Sequence, residues 1–172
     1  MSEILLQARK FRVERREEHV PGRGTVRREL VVHPGAVCIV PLLDPQNVLL
    51  IRNYRFSVDS ELLELPAGTL EPSESPEACA ARELEEETGY HAGHLEPVGR
   101  FYTSPGFTTE LMYIFVADDL TAGPQRLEAT ERIRVEPMAV ADALAACHDG
   151  RIIDGKTIAA LSLWSNRLKG NP

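Results

Sequence analysis

The chain of 172 residues is 43% hydrophobic and 26% charged, which suits one compact domain with a sizeable core and room for a small appendage. Its formal net charge of −7 argues against a nucleic-acid binder, because such proteins need a basic face to displace phosphate counterions. No apolar run approaches the length of a membrane span, and the N-terminal stretch is too short and too interrupted for a signal peptide, so we expect a cytoplasmic protein.

The N-terminal part of the chain predicts a small antiparallel unit. Residues 10–32 are charged but rich in strand formers, and a Pro-Gly-Arg-Gly turn at 21–24 divides them into two segments that can pair as a hairpin. This piece carries little core of its own. We therefore assign residues 1–34 to an N-terminal antiparallel β segment and residues 35–172 to the main domain.

The rest of the chain alternates strand and helix patterns. A helix is predicted after Ser75, which suits its N-cap, with Pro76 in the first turn and Gly89 as its stop. Such alternation is typical of an α/β sandwich with mixed sheets. Strands are predicted at 36–43, 48–54, 95–103, 111–117 and 133–135, with a loop at 118–130 and two further helices at 137–148 and 154–168.

The three cysteines carry no pattern. Cys38, Cys79 and Cys147 are odd in number, irregularly spaced and flanked by small apolar residues. We interpret them as buried or half-buried thiols with no metal-binding or catalytic role.

The helix after Ser75 concentrates glutamates on one side. At about 100° per residue, Glu83, Glu86 and Glu87 fall within an arc of roughly 100°, next to the apolar stripe of Ala80 and Leu84. Like charges at these spacings repel, so their clustering beside a buried stripe favours a bound cation. Because no His or Cys accompanies them, a hard divalent ion such as Mg²⁺ is the best match.

The spacing around this helix resembles the Nudix box, which the chain matches at every fixed position. A chance match in a chain of this composition is about one in ten million, so a merely solvated acidic face is set aside. The resemblance implies the Nudix fold, an α/β/α sandwich with a mixed β-sheet, plus a small N-terminal antiparallel β-sheet. The matching residues are Gly68, Glu74, Arg82, Glu83, Leu84, Glu86, Glu87, Gly89 and Tyr90.

The resemblance also implies a metal-dependent hydrolase of diphosphates. Glu83 and Glu87 resemble the principal ligands of Mg²⁺, for which Mn²⁺ can substitute, and Glu86 is close behind. The backbone carbonyl of Ala67 would complete the site. Arg82 is expected to steer a carboxylate, with Glu74 as the candidate, rather than to contact the substrate.

Residues 52–55, 64–68 and 104–110 lie outside the box, and Pro105 lies fifteen residues after Tyr90. Together these segments resemble the ADP-ribose pyrophosphatase branch, in which a proline follows the box by about fifteen residues. Arg55 matches an arginine that, in this branch, reaches the phosphate distal to the adenosine. The planar guanidinium of an arginine is well shaped to bind phosphate oxygens. Glu110 is expected near the metals or the terminal ribose. The residues assigned to substrate are Arg52, Arg55, Pro105, Gly106 and Glu110.

The catalytic base is left between two glutamates. In this branch it comes from the loop before the late strand, often as one of two acids two residues apart. Counted back from Ile133, Glu131 aligns with the second acid, whereas Ala129 occupies the first position and Glu128 is one residue off. We favour Glu131, with Glu128 as the alternative.

The resemblance implies a homodimer in which the N-terminal sheet is exchanged and helps to bind adenosine.

The leading hypothesis is hydrolysis of ADP-ribose to AMP and ribose 5-phosphate. The alternatives are another nucleoside diphosphate sugar, such as GDP-mannose or ADP-glucose, and a non-catalytic nucleotide sensor. The net charge of −7 disfavours RNA decapping.

Overall fold

The computed structural model describes residues 2–170. The predicted units 1–34 and 35–172 also include residues 1, 171 and 172, which lie outside the described part of the chain. Within residues 2–170 the fold consists of two sheets, three α-helices and a short 3-10 helix, Phe56–Val58. The strands are β1 (Ser2–Gln7), β2 (Arg12–Val20), β3 (Gly24–Val32), β4 (Ala36–Asp44), β5 (Asn47–Arg55), β6 (Ser60–Glu64), β7 (Ala67–Thr69), β8 (Tyr90–Tyr102), β9 (Leu111–Ala122) and β10 (Ile133–Ala139), and the helices are α1 (Pro76–Thr88), α2 (Val140–Asp149) and α3 (Gly155–Gly170).

The predicted N-terminal hairpin is confirmed as part of a three-stranded antiparallel sheet. β2 and β3 pair in register from Arg12 opposite Val32 to Val20 opposite Gly24, and β1 adds to the other side of β2. This sheet joins the main body where Val31 hydrogen-bonds to the backbone of Phe107 and Thr109.

The main sheet is mixed, as predicted. Its strand order is β10-β5-β4-β9-β8, with β6 pairing β5 and β7 pairing β4. The central pair β4 and β9 is parallel, whereas the other pairs are antiparallel. β7 is short, but it matters for the site because it lays Ala67 and Gly68 beside the start of β4.

Helices cover both faces of this sheet. Side chains alternate along β4, so Val37 and Ile39 pack with Leu84 of α1 on one face. Cys38 and Val40 pack with Trp164 of α3 on the other. This arrangement is the predicted α/β/α sandwich. Among the described residues, no helix is both long enough and apolar enough to cross a membrane.

Helix α1 begins and ends where the sequence predicts. The Ser75 hydroxyl accepts a hydrogen bond from the backbone N–H of Ala78, 3.2 Å away, and Pro76 occupies the first turn. Gly89 ends the helix with a φ of 77°, a backbone conformation that glycine adopts without a steric cost. The predicted burial of the cysteines is confirmed, because Cys38 and Cys79 are buried and Cys147 is half-buried.

Three predicted boundaries were wrong. β8 starts at Tyr90 rather than at 95, and β9 runs to Ala122, which shortens the predicted loop. Pro137 lies in β10 rather than in a helix, opposite Leu49 of β5, and α2 starts at Val140. Pairing between strands decides these boundaries, and an edge strand such as β10 tolerates a proline because an N–H can be spared there.

Candidate active site

A cavity of about 300 Å³ lies between α1, β7, the loop 123–132 and the start of α3. Three cationic and six carboxylate side chains line it, together with small and apolar groups from β4, β7 and β9. Such a surplus of carboxylates favours positively charged occupants. The lining residues are Lys10, Ala36, Arg55, Ala67, Gly68, Thr69, Glu83, Glu86, Glu87, Glu110, Met112, Glu128, Glu131 and Lys156.

Helix α1 turns its glutamates toward this cavity. Glu83 and Glu87 are buried, with 9% and 3% of their surface exposed, and Glu86 is half-buried. A carboxylate oxygen of Glu87 accepts a hydrogen bond of 2.9 Å from the N–H of Ala67. The Glu83 carboxylate lies directly against Gly68, where an added Cβ would be only 1.8 Å from its Cδ. Glycine is therefore needed at this position to make room for the carboxylate.

Burial makes these carboxylates electrostatically costly. Desolvation is the main cause that raises the pKa of Glu87 to about 8. The hydrogen bond from Ala67 lowers this pKa, whereas the charges of Glu83 and Glu131 raise it further. Desolvation also raises the pKa of Glu83, although Arg82 opposes it. A cation in the cavity would offset this cost and favour the ionised forms.

Arg82 holds its neighbours rather than the cavity. Its guanidinium donates to both carboxylate oxygens of Glu74 at 2.8 and 2.9 Å, to Glu83 at 2.7 Å and to Glu86 at 3.0 Å. The bond from Arg82 is the main cause that lowers the pKa of Glu74 to about 2. This geometry agrees with the expectation that Arg82 steers carboxylates, with Glu74 as its partner.

Two cations that line the cavity share one buried anion. Arg55, at the end of β5, donates to both oxygens of Glu64 at 2.8 and 2.5 Å. Lys156, in the first turn of α3, donates to the same carboxylate at 2.5 Å. Arg55, which the sequence assigns to the substrate, lines the cavity. Lys156 was missed, because nothing in the spacing between residues 64 and 156 indicates that they meet.

The three loop glutamates also reach the cavity. Glu110 accepts a hydrogen bond of 2.6 Å from the Thr103 hydroxyl. Glu131 is half-buried and accepts the backbone N–H of Glu128 at 2.8 Å, whereas Glu128 is exposed and bound by Arg9 through two hydrogen bonds of 3.2 Å. The loop that carries both is anchored to α1, since the N–H of Arg126 donates to the carbonyl of Glu86 at 3.0 Å.

Three predicted substrate residues lie outside this cavity. Arg52 binds Glu136 of β10 through hydrogen bonds of 2.6 and 3.0 Å. Pro105 and Gly106 line a separate groove of about 380 Å³ against the N-terminal sheet, which contributes Arg16 and Arg28 among other residues. The structure thus brings the metal-type and base-type residues together but leaves these three apart from them.

The side chains fit Mg²⁺ only with help from other ligands. Among residues 2–170, no three His, Cys, Asp or Glu side chains stand close enough to hold an ion by themselves. Glu83, Glu86 and Glu87, with the backbone carbonyl of Ala67, nevertheless offer an all-oxygen donor set at this cavity. Mg²⁺ commonly takes one or two carboxylates and completes its shell with water and substrate phosphates, so the residues present fit that ion.

Comparison with known proteins places this geometry in a family. The NUDIX domain model matches residues 32–161, which include α1 and most of the cavity. The chain belongs to the Nudix family. It is a pyrophosphohydrolase of the branch that resembles ADP-ribose pyrophosphatases, and the comparisons with individual proteins agree with this assignment.

Individual relatives cover most of the chain. It is 39% identical to the ADP-ribose pyrophosphatase of Bacillus subtilis (strain 168), over 83% of this chain and 78% of that protein. It is 33% identical to a methanol dehydrogenase activator of Bacillus methanolicus, over 93% and 88%, and 36% identical to a GDP-mannose pyrophosphatase of Citrobacter koseri, over 74% and 71%. A crystal structure of an ADP compounds hydrolase superposes with a TM-score of 0.83 and 29% identity, covering 99% of this chain and 92% of that one.

Proposed function

We propose that this Nudix pyrophosphohydrolase cleaves ADP-ribose to AMP and ribose 5-phosphate, with Mg²⁺ as cofactor and Mn²⁺ able to substitute. One observation carries the proposal: a single cavity is lined both by the carboxylates of α1 and by the cations Arg55 and Lys156. A diphosphate suits such a cavity, because its oxygens can bind a metal on one side and cationic side chains on the other. ADP-ribose is chosen because similar proteins act on it.

In this mechanism each group has a separate role. Glu83, Glu86 and Glu87, with the carbonyl of Ala67, would hold Mg²⁺, which when bound lowers the pKa of water and neutralises phosphate charge. Arg55 and Lys156 bind non-bridging phosphate oxygens and fix the diphosphate.

Glu131 is the group proposed to activate water. It accepts a proton as the water oxygen bonds to phosphorus, and the bond from phosphorus to the bridging oxygen breaks. Three observations support this role: Glu131 lines the cavity, it is half-buried, and its charge raises the pKa of Glu87. Glu128 is the alternative base, although it is exposed and its carboxylate is already bound by Arg9.

Two substitutions test this division of labour. Glu87→Gln should abolish turnover and weaken Mn²⁺ binding, because it removes a carboxylate ligand. Glu131→Gln should lower kcat by about a hundredfold or more while KM for ADP-ribose stays within about threefold, since a general base acts mainly in the transition state. Steady-state kinetics and Mn²⁺ titration give both values. Equal losses of substrate affinity in the two variants would contradict the assignment.

The substrate itself is tested with a panel of ADP-ribose, ADP-glucose and GDP-mannose. Each is incubated with Mg²⁺ and with Mn²⁺, and the products are resolved by chromatography. GDP-mannose is the second candidate, because a GDP-mannose pyrophosphatase is 36% identical to this chain. A higher kcat/KM for GDP-mannose would replace ADP-ribose as the substrate. No cleavage in any reaction would favour a nucleotide sensor.

We also propose a cytoplasmic homodimer formed through the N-terminal sheet. β1 lies at the edge of that sheet, and Ile4, Leu5 and Leu6 are 60%, 41% and 54% exposed. An apolar edge strand of this kind is a pairing surface unless something covers it. Light scattering should give about twice the chain mass of 19.1 kDa, and a monomer mass would refute the dimer.

A further inference from the structure

A fully buried carboxylate, that of Glu64, lies directly behind the two cations that reach the cavity. Glu64 is the last residue of β6 and has no exposed surface. Both of its oxygens accept hydrogen bonds from Arg55, and one also accepts the Lys156 ammonium at 2.5 Å. One buried anion therefore joins β5 to the start of α3, two elements that are distant in sequence.

Stability alone is a poor reason to bury such a cluster. Taking the Glu64 carboxylate fully out of water, and the two cations partly out of it, is costly, and well-packed apolar side chains of similar size often stabilise a core as well or better. Arg55 and Lys156 each have further N–H donors besides those that bind Glu64. Both side chains also line the cavity. The cluster thus holds two cations in fixed places while they face the occupant of the cavity.

The surroundings of Lys156 favour its charged form. Burial lowers the pKa of Lys156, but the charges of Asp154 and Glu64 outweigh burial and raise the pKa above its ordinary value. Asp154 is itself fixed, because it accepts hydrogen bonds of 2.9 and 2.6 Å from the backbone and hydroxyl of Thr157. Lys156 therefore stays protonated and restrained from two sides.

We infer that Glu64 is a positioning residue that orients Arg55 and Lys156 as one rigid receptor for the substrate diphosphate. The inference rests on the proposed function of the cavity. Cations held in advance bind phosphate oxygens without losing further side-chain freedom. Because they contact the diphosphate both before and during bond breaking, losing their orientation should weaken substrate binding more than it slows the chemical step.

The first test compares Glu64→Gln with Glu61→Gln. Both residues lie on β6, but Glu61 is exposed and forms a surface ion pair with Arg134, 3.2 Å away. With saturating Mg²⁺, we expect Glu64→Gln to raise KM for ADP-ribose about tenfold and to keep kcat within about threefold. Glu61→Gln should match the parent protein. An unchanged or lower KM in Glu64→Gln would overturn the inference, even if its thermal unfolding midpoint falls.

A second variant guards against misfolding, because Glu64→Gln leaves two partly buried cations without the carboxylate that they share. Glu64→Gln combined with Lys156→Met removes one of those cations and restores the charge balance. If Glu64 acts through Lys156, adding Glu64→Gln to Lys156→Met should raise KM by much less than tenfold, so the two effects are not additive. Fully additive effects on KM would refute the shared role.

The positioning role of Glu64 is tested independently of which substrate the protein cleaves. If the parent protein cleaves GDP-mannose but not ADP-ribose, the same KM comparison is made with GDP-mannose. If it cleaves neither, the proposed function fails, and calorimetry with inorganic pyrophosphate and Mg²⁺ decides the positioning role. Binding about tenfold weaker in Glu64→Gln than in Glu61→Gln would then support the inference, whereas equal binding would overturn it.

Discussion

Gly68→Ala is expected to damage the site through a single added carbon atom. In the native structure an added Cβ would lie 1.8 Å from Cδ of Glu83 and 1.9 Å from one of its carboxylate oxygens. Carbon atoms pack at about 3.5 to 4.0 Å, so the carboxylate would have to withdraw by about 1.5 to 2 Å. Gly68 does not adopt a positive φ, so alanine strains no backbone there and the effect should stay local.

The expected magnitude follows from that displacement. A misplacement of about 1 Å in a catalytic group can cost about a hundredfold in rate, so kcat/KM should fall by at least that factor. Mn²⁺ binding should weaken as well, because Glu83 is a proposed ligand. The assay is steady-state hydrolysis with Mg²⁺, accompanied by Mn²⁺ titration and thermal unfolding.

A matched control is Gly99→Ala, in β8. An added Cβ there would meet only Leu163, at an ordinary contact distance of 3.9 Å. This variant should keep the activity of the parent protein. If a folded Gly68→Ala protein retained kcat/KM within about threefold, Glu83 would not need its present place, and the reasoning about the site would be refuted.

Two further predictions concern stability. Arg12 and Arg16 lower the pKa of Glu14 from 4.5 to about 2, so its ionisation stabilises the fold above pH 4.5 and this contribution is lost as the pH falls toward 2. The thermal midpoint of the parent should therefore exceed that of Glu14→Gln at pH 6 by a margin that shrinks below pH 4.5, and a constant margin would contradict this. Ser75→Ala removes the bond to the N–H of Ala78 and should lower the unfolding free energy by about 1 kcal/mol in urea titration, whereas no loss would show that the cap contributes little.

Much of the site was readable from the sequence because it is local. The arc of Glu83, Glu86 and Glu87 depends only on the turn of one helix, and the caps at Ser75 and Gly89 fix where that helix begins and ends. The spacing of the box is therefore preserved wherever the helix packs. The strands β4 and β5 were equally clear, because their apolar runs are long and a turn separates them.

Long-range pairing decided what the sequence left open or concealed. Pro137 lies in a strand rather than in a helix because β10 pairs with β5 at the edge of the sheet, where Pro137 stands opposite Leu49. Arg52 turned to Glu136 rather than to the cavity. Both Glu128 and Glu131 reached the cavity, so the fold brings the two candidate bases together and leaves the choice between them to kinetics.

The sequence alone thus determined the family, the acidic helix and the class of reaction, because these rest on spacings within one continuous stretch of loop and helix, from Gly68 to Tyr90. Only the tertiary structure showed that Lys156 meets Arg55 on Glu64. That meeting joins residues 92 positions apart in the chain through one buried carboxylate. The physical reason is that an ion pair across such a distance depends on how α3 packs against the sheet, and no local periodicity encodes that packing.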